Sequence, residues 1–171
     1  MKVLGIDPGT VRTGYGLVLA EEKEQNLLYI CSGAIKTSSR EDFSQRLKKI
    51  YDGILSIIKE HSPDAVAIEE IFFAHDVKAA LKLGHASGVV LLAAANLGLP
   101  VFKYSSTHIK KAVMGYGRGD KYQIQKMVQA ILRLSDIPEP EDAADALAVA
   151  ICHIHNASLR ERLEKSYDRY A

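Results

Sequence analysis

Four carboxylates stand out by where they fall in the chain. Asp7 ends an apolar run in Gly-Ile-Asp-Pro-Gly, and Glu69 ends another in Ala-Ile-Glu-Glu. A lone carboxylate after such a run is costly to bury unless it is paired or bound to a metal. Asp142 and Asp145 are spaced i, i+3 at the expected start of a helix, so they share one face with Cβ atoms ~5–6 Å apart. Four carboxylates from three elements, aimed at one point, suit hard divalent cations. Two such ions ~3.5–4 Å apart activate water and stabilise the leaving oxygen in phosphodiester hydrolysis. Simpler readings exist for single members. Asp7-Pro8-Gly9 is also a turn signal, and Asp142 also suits a helix N-terminus, where an acidic group gains about 0.3–1 kcal/mol. Asp145 resists such a reading, because its neighbours Ala143, Ala144, Ala146, Leu147, Ala148 and Val149 are apolar and mostly small. Glu70 competes with Glu69. Adjacent strand residues point to opposite faces, and spacing alone does not choose between them.

These residues need a scaffold, and the hydrophobic pattern supplies one. Lys2–Asp7, Thr13–Ala20 and Leu27–Lys36 read as three antiparallel strands joined by short polar turns. From Phe43 the period becomes helical, with Leu47, Ile50, Ile54 and Ile58 on one stripe as far as Ser62-Pro63. Ala65–Glu69 is a continuous apolar strand, the mark of burial on both faces. Asp76 is placed to cap a long helix to about Asn96, closed by Gly98 and Pro100. Val101–Tyr104 is the fifth strand. Short helices follow over Thr107–Val113 and Lys121–Leu134, separated by a loop holding Gly115, Gly117 and Gly119. The last helix runs from Glu141 to about Asn156. The expected fold is an α/β layer with a mixed five-stranded sheet, strands 1, 4 and 5 parallel. If strands 1 and 4 are adjacent, Asp7 and Glu69 meet at the strand ends where such folds place ligands.

The chain has 171 residues and a net charge of +1, but the charge is unevenly spread. Residues 99–133 carry seven basic side chains against Asp120 alone, and residues 134–155 carry five acidic and no basic ones. A basic segment beside an acidic cluster suits a polyanion held near a cation site, although a solvated basic helix gives the same pattern. With 47% apolar and 25% charged residues, the composition excludes disorder, collagen and disulfide scaffolds. Cys31 and Cys152 read as reduced thiols of a cytoplasmic protein. The first apolar run is too short for a signal-peptide core. The uncharged stretch between Lys82 and Lys103 reads as a buried helix and strand rather than a membrane span, because it holds His85, Asn96, three glycines and Pro100.

Gly-Ile-Asp-Pro-Gly-Thr, Thr-Gly-Tyr-Gly at 13–16, Ala-Ile-Glu at 67–69, Ala-Leu-Lys-Leu-Gly at 80–84 and Asp-Ala-Ala-Asp-Ala-Leu-Ala at 142–148 together resemble the RuvC family of Holliday junction resolvases. The last motif is the most specific. The resemblance implies a ribonuclease H-like domain over 1–156, with 157–171 as a C-terminal tail. It implies that Asp7, Glu69, Asp142 and Asp145 are catalytic metal ligands, which selects Glu69 over Glu70. It matches Lys121 to a lysine near the scissile phosphate, Lys110 to a DNA-contacting lysine and Phe72 to an aromatic at the junction crossover. Phe73 could share that role, and Arg118, in the glycine loop, is a further candidate DNA contact. The implied cofactor is Mg²⁺, two per site, with Mn²⁺ able to substitute. The implied partners are four-way junction DNA, a second copy of the chain in a homodimer, and the RuvA–RuvB branch-migration complex, with no membrane.

The alternative from another class is a non-catalytic junction-binding protein. It would keep the basic segment but has no need of four carboxylates. An actin-like kinase shares the Asp-Pro-Gly start but requires two such domains. The glycine loop lacks the Gly-Lys-Ser/Thr of a phosphate loop. His153 and His155 lie about 200° apart on a helix and cannot share a metal. Gly84 and Gly88 fit either a dimer seam or close packing on the sheet.

Overall fold

The computed structural model describes the backbone of residues 1–21, 26–70 and 76–167, and side chains as far as residue 159. Strands β1 (Lys2–Asp7), β2 (Arg12–Ala20) and β3 (Leu27–Lys36) form an antiparallel meander. Helix α1 (Phe43–His61) leads to β4 (Ala65–Glu69), and helix α2 (Val77–Asn96) leads to β5 (Val101–Tyr104). Helices α3 (Ser106–Met114), α4 (Lys121–Ile131) and α5 (Glu141–Tyr167) complete the chain. The sheet has the order β3-β2-β1-β4-β5, and β1, β4 and β5 are parallel, as the sequence pattern predicts.

Alternation along the strands divides the core between two faces. Leu4, Ile6, Val66 and Ile68 pack with Ile50 and Ile54 of α1 and Val90 of α2. Val3, Val18 and Ala67 face α5, where they meet Leu147 and Ile151 with Val128 of α4 behind. The close seat of α5 explains the small residues on both sides. A Cβ at Gly5 would strike the Ala146 carbonyl, and one at Gly14 would strike the backbone of Asp142. At Gly5 and Gly14 the sheet therefore receives the backbone of α5 with no sheet side chain between them.

Three expectations change. The long apolar helix is buried on one face only: Ala86, Val90, Ala93 and Ala94 enter the core, while Val77, Leu81 and Leu92 are 68, 60 and 55% exposed. By length and composition α2 could cross a membrane, but here its inner face lies in the core shared with α1. Helix α4 stops at Ile131 rather than Leu134, because Arg133 adopts a left-handed φ of 53°. Helix α5 runs past Asn156 to Tyr167. No Pro or Gly interrupts residues 141–167, and the added stretch holds good helix formers such as Leu159, Leu163 and Lys165.

Candidate active site

The sheet brings two of the four carboxylates together. Ile6 pairs with Ile68 across the parallel β1–β4 ladder, so Asp7 and Glu69 leave the same edge side by side. The loop beyond Asp7 is held in place. Thr13 Oγ1 donates to the Gly9 carbonyl at 2.6 Å, Thr37 Oγ1 donates to the Thr10 carbonyl at 2.6 Å, and buried Arg46 donates Nε to that same carbonyl at 3.0 Å. Helix α5 supplies Asp142 and Asp145 from its first turns, set against β2 by the gap at Gly14.

The carboxylates and Lys121 lie near enough to shift one another's protonation. Burial pushes Asp7 up from 3.8 to about 8, and the charges of Glu69, Asp145 and Asp142 push the same way, with Lys121 opposing. Burial also raises Glu69, as does Asp145, while a hydrogen bond from Ser106 and the charges of Lys110 and Lys121 hold it down. Asp145 is raised by burial first, with Lys121 opposing and Glu141 and Asp142 adding to the rise. Glu70 is exposed and joins none of these interactions; its backbone N–H donates to the Tyr104 carbonyl at 2.8 Å.

Lys121 arrives by a local device. Asp120 caps α4 and forms a reciprocal pair with Gln123, its carboxylate accepting from the Gln123 N–H at 2.8 Å. That places Lys121 in the first turn, where Nζ lies 3.1 Å from Glu141 and 3.7 Å from Asp145. Burial would lower the lysine, but the hydrogen bond with Glu141 and the charges of Asp145, Glu141 and Asp7 outweigh it, and the net shift is upward. On the other flank Arg12 Nη1 sits 3.9 Å from Asp142.

Asp7, Glu69, Asp142, Asp145 and Lys121 are thus gathered, and Lys110 lies close enough to act on Glu69. Arg118 is elsewhere, exposed in a cleft with Lys111 and Tyr116. Phe72 and Phe73 lie outside the described residues. Sequence reasoning missed Ser106, Glu141 and Arg12. Glu141 had a signal, since it is i, i+4 with Asp145 and shares its face. Ser106 and Arg12 had none, because only the folded chain brings them here. His153 is buried, bonded to Tyr104 Oη through Nδ1 at 2.8 Å, and does not join His155.

The donor set fits hard divalent cations. It is all carboxylate oxygen, and its central member is pushed up to about 8 by burial first and then by the charges of Glu69, Asp145 and Asp142. Among the described residues no three acidic, His or Cys side chains close on one point as a finished coordination shell. Lys121 and Arg12 instead provide the positive partners of Asp145 and Asp142.

Known proteins are similar to this chain over most of its length. A family model described as Crossover junction endodeoxyribonuclease RuvC matches residues 3–153. A protein of Geobacter sp. with that description is 46% identical over 164 residues, which span 96% of this chain and 98% of its own. A Thermus thermophilus RuvC structure superposes with a TM-score of 0.86 at 38% identity, covering 93% of this chain and 96% of that one. A structure of T. thermophilus RuvC in complex with Holliday junction substrate gives a TM-score of 0.85 at 35% identity, with the same coverage of 93% and 96%.

Proposed function

The chain belongs to the RuvC family of crossover junction endodeoxyribonucleases, and we propose that its carboxylate cluster hydrolyses phosphodiester bonds in four-way DNA junctions during recombination and repair. One observation carries the catalytic reading: Asp7, Glu69, Asp142 and Asp145 act on one another at one sheet edge, with Lys121 against them. A protein that only binds junctions has no use for so costly a cluster. The enzyme is metal-dependent, as its family is. We assign Mg²⁺, two ions per site, to the four carboxylates, with Mn²⁺ as a working substitute. Bound there, the ions supply water activation and charge stabilisation at the leaving oxygen. Asp7 and Glu69 hold the deep side of the site from strand ends, and Asp142 and Asp145 hold the α5 side. Lys121 stands at the mouth to meet the scissile phosphate, and Ser106 keeps the Glu69 carboxylate oriented. The work belongs in the cytoplasm, in company with the RuvA–RuvB branch-migration complex. The deciding experiment is a mobile four-way junction incubated with and without Mg²⁺ and resolved on a denaturing gel. Paired nicks in two opposed strands, only with the cation, support the reading. Binding without any nick overturns it.

Lys121 and Lys110 are expected to separate kinetically. Lys121→Ala should lower single-turnover cleavage more than affinity, because the ammonium faces the reacting group. Lys110→Ala should weaken junction binding and reduce the salt slope by about one. Equal affinity losses without a rate loss in either variant would remove Lys121 from the active site.

Two cuts in strands related by a two-fold axis call for two active sites, and each chain carries one. A C2 homodimer whose axis matches that of the junction supplies them. The open face of α2 offers the seam. Val77, Leu81, Gly84, Gly88 and Leu92 line an apolar groove of about 740 Å³ with Leu47 of α1. Among the described residues nothing stands within 4 Å of a Cβ at Gly84 or Gly88, so neither glycine packs on the sheet. A larger side chain there fits one chain alone and obstructs only a second copy. Gly88→Arg should leave the melting temperature of the isolated chain nearly unchanged, halve the mass in sedimentation, and convert paired cuts to single nicks. A wild-type monomer at micromolar concentration that still makes paired cuts would defeat the dimer.

A further inference from the structure

Helix α3 carries three i, i+4 rows with different duties. Ile109 and Val113 are buried in the core. Ser106 and Lys110 act on Glu69. The third row, Thr107 and Lys111, points at neither. It forms the shared wall of two adjoining clefts of about 510 and 560 Å³. One lies between α3 and α5 and includes His108, His155 and Asn156. The other lies beneath the glycine loop and includes Arg118 and Tyr116.

We propose that these two adjoining clefts together form a second binding track for a phosphodiester backbone, a groove holding the junction strand beyond the active site. The inference rests on junction DNA being the substrate. Its grounds are chemical. Among the described residues no Asp or Glu lines either cleft. Lys111 and Arg118 supply fixed positive charge, and Thr107 a hydroxyl. The walls are built rather than incidental. Asn156 donates its amide to the Cys152 carbonyl at 2.7 Å, which leaves its Oδ1 to accept from His108 Nε2 at 3.1 Å. His155 donates Nδ1 to the Ala112 carbonyl at 3.1 Å. Gly117 lies so close to Thr107 and Lys111 that an added Cβ would sit 3.1 and 3.2 Å from their side chains, so the loop braces the lysine stem. Among the described residues no ion pair engages Lys111 or Arg118. The nine residues of α3 extend ~13 Å, about four base steps of a duplex measured along its axis at ~3.4 Å rise. The neighbouring row faces the carboxylates, so a strand in the groove is one helix face away from the cut.

The test is fluorescence anisotropy of a labelled four-way junction across a salt series, with single-turnover cleavage measured alongside at saturating enzyme. Lys111→Ala should weaken binding about 5–10-fold and lower the salt slope by about one, with the saturated cleavage rate within twofold of wild type. Lys111→Arg should restore both affinity and slope. An unchanged affinity and slope for Lys111→Ala, or a rate loss without an affinity loss, would overturn the track. If wild type fails to bind the junction, the proposed function falls, and plain duplex decides the groove: a slope lowered by one in Lys111→Ala upholds it, and an unchanged slope ends it.

Discussion

Asp7→Asn, Glu69→Gln and Asp145→Asn are each expected to slow junction cleavage about 10³-fold or more, comparable to losing about 4 kcal/mol of transition-state electrostatics. Each variant keeps the shape of its side chain and removes one charge from a cluster that must hold cations. Junction binding should survive, because the basic residues that carry it lie on α3, α4 and the loop between them. Asp7 should be the most sensitive of the four, since it is flanked by all three other carboxylates. Asp142 should be the least, being 28% exposed and already engaged by Arg12. Glu70→Gln is the internal control. Its side chain is exposed and outside the cluster, so its rate should stay within a few-fold of wild type. Quantified cleavage of a fixed junction under single-turnover conditions decides the matter. An essential Glu70 beside a dispensable Glu69 would refute this assignment of the site.

The cluster is legible in the sequence wherever local rules act alone. An apolar run that ends in a carboxylate is enough to place Asp7 and Glu69 each at a strand end, whereas the adjacency of β1 and β4 that brings them together comes from the folded sheet order. The i, i+3 pair on α5 is equally local. The choice between Glu69 and Glu70 is not, because a strand's pleat has two faces and only register against β1 says which one meets Asp7. Ser106 and Arg12 are illegible for a related reason, being ordinary residues that acquire a role through the turn after β5 and the start of β2. Composition also misjudges α2. A run of Val, Leu and Ala is apolar whether it faces a core or a partner, and only the positions of Ala86, Val90, Ala93 and Ala94 show which face the core takes. The end of α5 is misplaced because polarity rises after Asn156 while helix propensity does not fall, and helices answer to the latter.

The same crowding that equips Asp7 for cation binding should make it a burden on the cation-free fold. Its folded value is about 8 against 3.8 for an ordinary aspartate. Between those two pH values the folded chain keeps a proton that the unfolded chain has lost. The unfolded state therefore binds fewer protons, and stability falls as pH rises through the window. Below about pH 4 both states are protonated and the full contribution is present; above about pH 8 both are ionised and it is gone. The interval corresponds to at most about 6 kcal/mol, and relaxation with water entry leaves roughly 2–3 kcal/mol. Asparagine imitates the protonated acid at every pH. In EDTA at pH 8, Asp7→Asn should thus melt about 5–10 °C above wild type, and the gap should narrow toward pH 4. Glu69 and Asp145, raised in the same direction, keep some pH dependence in the variant. Saturating Mg²⁺ should reverse the order, since a ligand at 100 times its Kd adds about 2.7 kcal/mol to the wild type, and the variant has lost a ligand. Thermal melts of both proteins at pH 5 and pH 8, with EDTA and with Mg²⁺, read all of this at once. Coincident melts in EDTA at pH 8 would mean that Asp7 carries no such strain, and a variant less stable than wild type at every pH would mean that its charge supports the fold. If the predicted reversal occurs, the residue most needed for cleavage is the one the empty fold would be steadier without, and Asp7 is there for the cation rather than for the sheet it ends.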